Sequence, residues 1–263
     1  MIKKAIGIFD SGVGGLTVAH EIHKLLPRED ILYFGDTVHL PYGNKSEKAI
    51  INYSIQNIQF LLSKGVKLIV IACNTASSIA YTHLKNMHII PIVNVLVPGA
   101  LEAVSATKNN RIGIIGTFRT IRSKSYSNYI KKTGKNIRTY EKACPLFVPI
   151  IEEDFKNKNV LDMVIQEYLG PLAKKGIDTL ILGCTHYPLI KQNISHLYPS
   201  LKIIDSAKAT AKVVKKLLLK ERLCSDNTTP KVTIYVNDKS EVFETITKKL
   251  FKNIDPLQIP PGE

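Results

Sequence analysis

The feature that most constrains this chain is an alternation, sustained over most of its length, of short β-branched runs with longer stretches of helical period. Each short apolar run must be covered by the helices that flank it, which is how parallel α/β structure is built. Strands are predicted over residues 5–9, 31–35, 68–72, 90–95, 111–115, 179–183, 202–205 and 232–236. Helices are predicted over 14–26, 45–64, 75–86, 121–133, 160–175, 208–220 and 239–251. Pro27, Pro91 and Pro98 punctuate the joins. The 263 residues suit one large domain or two smaller ones, and a 44% hydrophobic content is enough to bury a core. No run approaches the roughly 18 apolar residues of a membrane span. Residues 1–9 superficially resemble a charged leader before an apolar run, but Asp10 and a glycine-rich turn interrupt it at once. A first strand fits better, and the expectation is a soluble, cytoplasmic protein.

Two pairs of segments look like copies. Ile6-Gly7-Ile8-Phe9-Asp10-Ser11 matches Ile112-Gly113-Ile114-Ile115-Gly116-Thr117, and Ile69-Val70-Ile71-Ala72-Cys73-Asn74-Thr75 matches Leu180-Ile181-Leu182-Gly183-Cys184-Thr185-His186. The two matches are separated by nearly the same distance along the chain. The chain therefore reads as two related α/β lobes, residues 1–96 with 207–263 as one and 97–206 as the other, related by a pseudo-twofold. Parallel sheets of this kind bind ligands beyond the carboxyl ends of their strands. Cys73, Cys184, Asp10–Ser11 and Gly116–Thr117 all fall at such ends, so facing lobes would place a thiol on each side of a shared cleft.

The bland reading of each feature has to be weighed first. Free cysteine is among the most buried residue types, and Cys144 and Cys224 lack a strand-end context, so Cys144 reads as packing and Cys224 as a loop thiol. The cysteine spacings match no CxxC pattern, so no metal site is expected. The net charge of +14 could favour nucleic acid, and a non-catalytic binding protein is the alternative that rests on it. But the lysines are spread along the chain. The densest run, Lys208, Lys212, Lys215, Lys216 and Lys220, has the spacing of one solvated helix face, so no nucleic-acid partner is expected.

The turn Asp10-Ser11-Gly12-Val13-Gly14-Gly15 does not complete a G-x-G-x-x-G fingerprint, because Thr17 stands in the last position. A small carboxylate held by Ser11 and backbone N–H groups suits it better than a nucleotide, with Asp10 spare to handle a proton. Asn74-Thr75 behind Cys73 caps a helix start, and the helix end should lower that thiol's pKa. His186, two residues after Cys184, could trade protons with it. A hydrolase nucleophile and base at Cys184 and His186 is an alternative, but it leaves the second cysteine without a purpose. Glu152-Glu153-Asp154 reads as a surface helix start, unless Glu152 reaches the cleft and orients His186.

These motifs, with Phe34-Gly35-Asp36-Thr37, Pro41-Tyr42-Gly43, Cys144-Pro145-Leu146-Phe147-Val148-Pro149 and Gly183-Cys184-Thr185-His186-Tyr187-Pro188-Leu189, resemble those of the bacterial glutamate racemases of the aspartate/glutamate racemase superfamily. They occur in the same order, from residue 6 to about 206; the remainder is weakly diagnostic. The resemblance implies two α/β lobes with the site between them. It implies Cys73 and Cys184 as acid/base catalysts, Asp10 assisting Cys73, and His186 with Glu152 assisting Cys184. Ser11, Tyr42, Gly43, Asn74, Thr75 and Thr185, with Asp10 and His186, would hold glutamate. It further implies interconversion of L- and D-glutamate without a cofactor, D-glutamate destined for peptidoglycan, and a homodimer. Aspartate racemisation is a second enzymatic possibility, though aspartate racemases tend to carry Glu where His186 stands. Two departures, Val38-His39-Leu40 and Asn94, touch loop shape and packing.

Overall fold

Where the chain alternates apolar runs with helices, a computed structural model shows two all-parallel sheets; it describes residues 5–85, 87, 90–153, 157–252 and 254–259. The strands are β1 (Ile6–Asp10), β2 (Ile31–Gly35), β3 (Leu68–Ile71), β4 (Ile92–Asn94), β5 (Arg111–Gly116), β6 (Arg138–Ala143), β7 (Thr179–Gly183), β8 (Lys202–Ile204), β9 (Val232–Val236) and β10 (Leu257–Gln258). One sheet runs β10-β9-β2-β1-β3-β4 and the other β6-β5-β7-β8. The order β2-β1-β3-β4 is thus repeated as β6-β5-β7-β8. The register repeats too: Ile6 lies beside Leu68 in the first sheet, and Ile112 beside Thr179 in the second. The expected pair of related α/β lobes is borne out. Its basis is that β1, β3, β5 and β7 are buried on both faces, so each needs a near-continuous apolar sequence.

Two apolar clusters cover the faces of the first sheet and two those of the second. The helix Leu96–Ala106 packs on β7 and β8 and also on Ser206–Lys220, which in turn lies against Leu16–Leu25 beside the first sheet. These helices carry apolar packing across the join. All five lysines of the dense basic run are exposed on Ser206–Lys220, whose buried face is Ala207, Thr210, Ala211, Val214 and Leu218. Among the described residues no helix is long and apolar enough to cross a membrane.

Several local expectations need correction. Pro98 does not break a join; it sits in the first turn of Leu96–Ala106, where a missing N–H costs nothing. Asn94, one of the two departures, accepts a hydrogen bond from Val97 N at 3.0 Å and so satisfies a donor at that helix start. β6 has no apolar run because it is a sheet edge, half-buried along most of its length. Cys144 directly follows β6 and therefore does have a strand-end context, although it is fully buried and faces packing. Glu152 ends the helix Phe147–Glu152 rather than starting one. Asp154, Asn86 and residues 1–4 lie outside the described residues. Cys224 is exposed in a loop.

Candidate active site

A pocket with ≈ 280 Å³ of empty space lies at the carboxyl ends of both sheets, lined from the first sheet by Ser11, Tyr42, Gly43, Cys73, Asn74 and Thr75. Thr117, Val148, Cys184, Thr185 and His186 line it from the second. Its lining is mostly small polar side chains, with a thiol from each sheet.

Cys73 is the N-cap of the helix Asn74–Ile79, so Asn74 and Thr75 are its first turn rather than its cap. The thiol sulfur accepts from Ala76 N at 3.5 Å, and the thiol donates to Ser11 Oγ at 3.7 Å. Burial nevertheless pushes the thiol up to about 12, and the nearby Asp10 carboxylate adds to the rise. The expected lowering by the helix end is present but is outweighed, because a thiol on a residue only 4% exposed loses more hydration than one turn of helix returns.

Asp10 ends β1 and is fully buried. Its carboxylate accepts from Gly12 N at 3.2 Å, Gly15 N at 3.0 Å and, across the join, Thr185 Oγ1 at 3.2 Å. Two N–H groups of the glycine-rich turn are thus committed to Asp10 and are not free for an outside carboxylate. Burial raises the Asp10 pKa above its ordinary 3.8, opposed by the His186 charge and by these donors. Tyr33, unforeseen from its strand, props the turn by donating to Gly12 O at 2.6 Å.

On the other side, His186 Nδ1 is 3.8 Å from Cys184 Sγ and its Nε2 is 2.5 Å from Glu152 Oε1. Burial alone would lower the imidazole pKa. The bonds to Cys184 and Glu152 outweigh it, and the net shift is well above 6.5. Glu152 reaches this ring from the last residue of its helix, so the chain joins a thiol, an imidazole and a carboxylate in series.

The loop over the pocket is held by Asp36. Its carboxylate accepts from Tyr42 Oη at 2.5 Å and Asn237 Nδ2 at 2.6 Å, and pairs with His39 Nδ1 at 2.8 Å. His39, the other departure, stacks on Tyr53 at 3.8 Å. The sequence marks Thr117 only as a strand-end residue, by its match to Ser11. It meets Thr75 Oγ1 at 3.0 Å. The lobes therefore touch crosswise: the turn after β1 meets Thr185, and the turn after β5 meets Thr75.

The fold and this pocket define a two-lobed parallel α/β protein that presents one buried thiol from each lobe to a shared pocket. Residues 17–214 match the family model described as Asp/Glu/Hydantoin racemase. The chain belongs to that family and is an amino-acid racemase. It is 49% identical to a glutamate racemase from Persephonella marina, over 92% of this chain and 91% of that one. With a glutamate racemase from Sulfurihydrogenibium it shares 47%, over 97% and 96%. Among solved structures, the glutamate racemase from Francisella tularensis in complex with D-glutamate superposes with a TM-score of 0.91 at 37% identity, covering 98% of each chain. A glutamate racemase isoform from Bacillus anthracis gives 0.92 at 35%, again over 98% of each chain.

Proposed function

We propose that the chain interconverts L- and D-glutamate by a two-base mechanism without a cofactor, with Cys73 and Cys184 on opposite faces of the substrate α-carbon. The observation that carries this reading is that both thiols line one pocket, each from an equivalent strand end, in a chain whose relatives are glutamate racemases. One thiolate removes the α-proton, and the opposite thiol delivers another to the far face. The α-proton is feebly acidic, so the carbanion must be stabilised by preorganised donors in a pocket that excludes water. Thr75, Thr185, Ser11 and the Tyr42–Gly43 backbone would supply them, while Asn74 holds the substrate. At neutral pH resting Cys73 holds its proton. The substrate ammonium brings a positive charge beside it, which favours the thiolate. Asp10 serves the Cys73 side, and His186 with Glu152 the Cys184 side. D-glutamate formed in this way supplies peptidoglycan synthesis, and the working form is a cytoplasmic homodimer.

The test follows the circular dichroism of L-glutamate incubated with the purified chain, with aspartate as comparison. Loss of signal to zero with glutamate, unaffected by a chelator and without added pyridoxal phosphate, is the expected result. Turnover that vanishes with the chelator, that requires pyridoxal phosphate, or that prefers aspartate overturns it.

The His186→Asn variant should slow the two directions unequally in their chemical steps, because the ring touches only one of the thiols. The equilibrium must stay near one to one, since enantiomers have equal free energy. The same variant has a pH signature. A histidine whose folded pKa is raised adds stability that is fully present below its unfolded value near 6.5 and is lost as pH rises through the folded value. The melting-temperature gap between wild type and His186→Asn should therefore narrow as the pH is raised from about 6 to about 9. Equal slowing in both directions, or a gap that widens with pH, would argue against the assignment.

A further inference from the structure

Asn74 is 2% exposed and lines the pocket, yet its side-chain Nδ2 has no hydrogen-bond partner. A buried amide N–H₂ left open in this way is normally waiting for an acceptor. The other end of the same amide is taken: Asn74 Oδ1 accepts from Tyr126 Oη at 2.5 Å. Tyr126 belongs to the helix Ser125–Lys132 of the second lobe and is 1% exposed. Its ring also lies over the residue preceding Cys184, since a Cβ built on Gly183 would sit 3.3 Å from Tyr126 Cε2. One side chain thus touches the residue after Cys73 through its hydroxyl and the residue before Cys184 through its ring.

We propose that Tyr126 is a positioning residue for substrate binding: its hydroxyl fixes the Asn74 amide with Nδ2 facing the pocket, where it donates to a carboxylate of the bound amino acid. This deepens the glutamate reading and rests on it. The chemistry leaves one consistent orientation. A buried phenol must place its single proton on an acceptor, and Asn74 Oδ1 is the acceptor beside it. With the amide reversed, the phenol proton would lose that acceptor and Oδ1 would face the substrate. At neutral pH an amino acid dicarboxylate offers acceptors only on its carboxylates, so an Oδ1 facing them would repel. The phenol stays protonated because burial, reinforced by Cys184, raises its pKa. The bond therefore reads out as a fixed donor, not as a titrating group.

Carboxylates are charged in both the ground and transition states, so the contact should serve binding more than the chemical step. Tyr126→Phe keeps the ring over Gly183 and removes only the hydroxyl. It should raise KM for both glutamate enantiomers about five- to tenfold, with kcat changed less than about twofold. Tyr129→Phe, on the same helix, should leave both constants unchanged. A double-mutant cycle separates positioning from packing: in an Asn74→Ala background, removing the Tyr126 hydroxyl should cost less than about twofold. Asn74→Asp is a second entry to the same question, because it keeps an acceptor for Tyr126 and removes the donor. It should raise KM more than Tyr126→Phe does, because it also sets a buried carboxylate against that of the substrate. Wild-type KM in Tyr126→Phe or in Asn74→Asp, or an equal loss in both backgrounds of the cycle, overturns the inference while the racemase reading stands. A wild-type chain inert toward glutamate overturns both.

Discussion

Alanine at Cys73 or at Cys184 is expected to reduce racemisation of glutamate by about 10²–10⁴-fold or more, because each turnover needs a base on one face and an acid on the other. Partial reactions should survive. The remaining thiolate still faces the α-hydrogen of one enantiomer, and it can exchange that hydrogen with solvent if the thiol equilibrates with water before returning it. With α-deuterated substrates, Cys184→Ala should wash label out of D-glutamate and Cys73→Ala out of L-glutamate, each without inversion; wild type should lose label while inverting either. Mass spectrometry of the recovered amino acid, resolved by chiral chromatography, reads the outcome. The buried environments make the two variants chemically distinct: Cys73 sits beside Ser11 and near Asp10, whereas Cys184 contacts His186. A Cys73→Ala protein that racemises near the wild-type rate would end the two-base mechanism and leave Cys73 as a packing residue.

Gly14→Ala should lower kcat/KM by about 10²-fold while leaving both lobes folded, the loss expected from misplacing reacting groups by about 1 Å. A Cβ at Gly14 would lie 2.6 Å from the carbonyl carbon of Thr185 and 2.8 Å from His186 N. Those are backbone atoms of the opposite lobe, immediately after Cys184, and they cannot rotate away as a flexible side chain would. The lobes must separate or slide, and the Thr185–Asp10 bond and the spacing of the thiols change with them. Gly170→Ala is the control. Its nearest neighbour for an added Cβ is Tyr198 Oη at 4.0 Å, and it lies inside the helix Lys158–Ala173, where alanine is favoured. Far-ultraviolet circular dichroism and thermal melts separate a misaligned site from an unfolded one. Activity near wild type in Gly14→Ala would mean that the join between the lobes has slack.

The sequence by itself determined the elements whose cause is local. Strands β1, β3, β5 and β7 are buried on both faces, and burial on both faces writes a continuous apolar run into the chain. The internal match is legible for the same reason: it falls on those strands and on the polar turns that end them. The motifs around Cys73 and Cys184 were readable as strand-end groups, and strand ends of parallel sheets are where ligands bind. What escaped was whatever depends on partners distant in sequence. β6 is an edge strand with no apolar stripe, and the helix Leu96–Ala106 is disguised by Pro98 and Gly99, which its first turn and its packing against Ser206 accommodate.

Only the tertiary structure decided the electrostatics and the pairing across the join. The Cys73 motif predicts a lowered thiol pKa from its helix end, but burial reverses the sign, and that burial comes from packing with residues distant in sequence such as Phe9, Ser11 and Tyr42. The glycine-rich turn predicts free N–H groups for an anion, yet Asp10 folds back onto two of them. Glu152 meets His186, Thr185 meets Asp10, Thr117 meets Thr75 and Tyr126 meets Asn74, each across tens of residues of chain or more. Periodicity records which face of a strand or helix is buried. It carries no record of which buried face meets which: the Thr185–Asp10, Thr117–Thr75 and Tyr126–Asn74 contacts exist only where two separately readable lobes are pressed together, and Glu152–His186 only where one lobe folds back on itself.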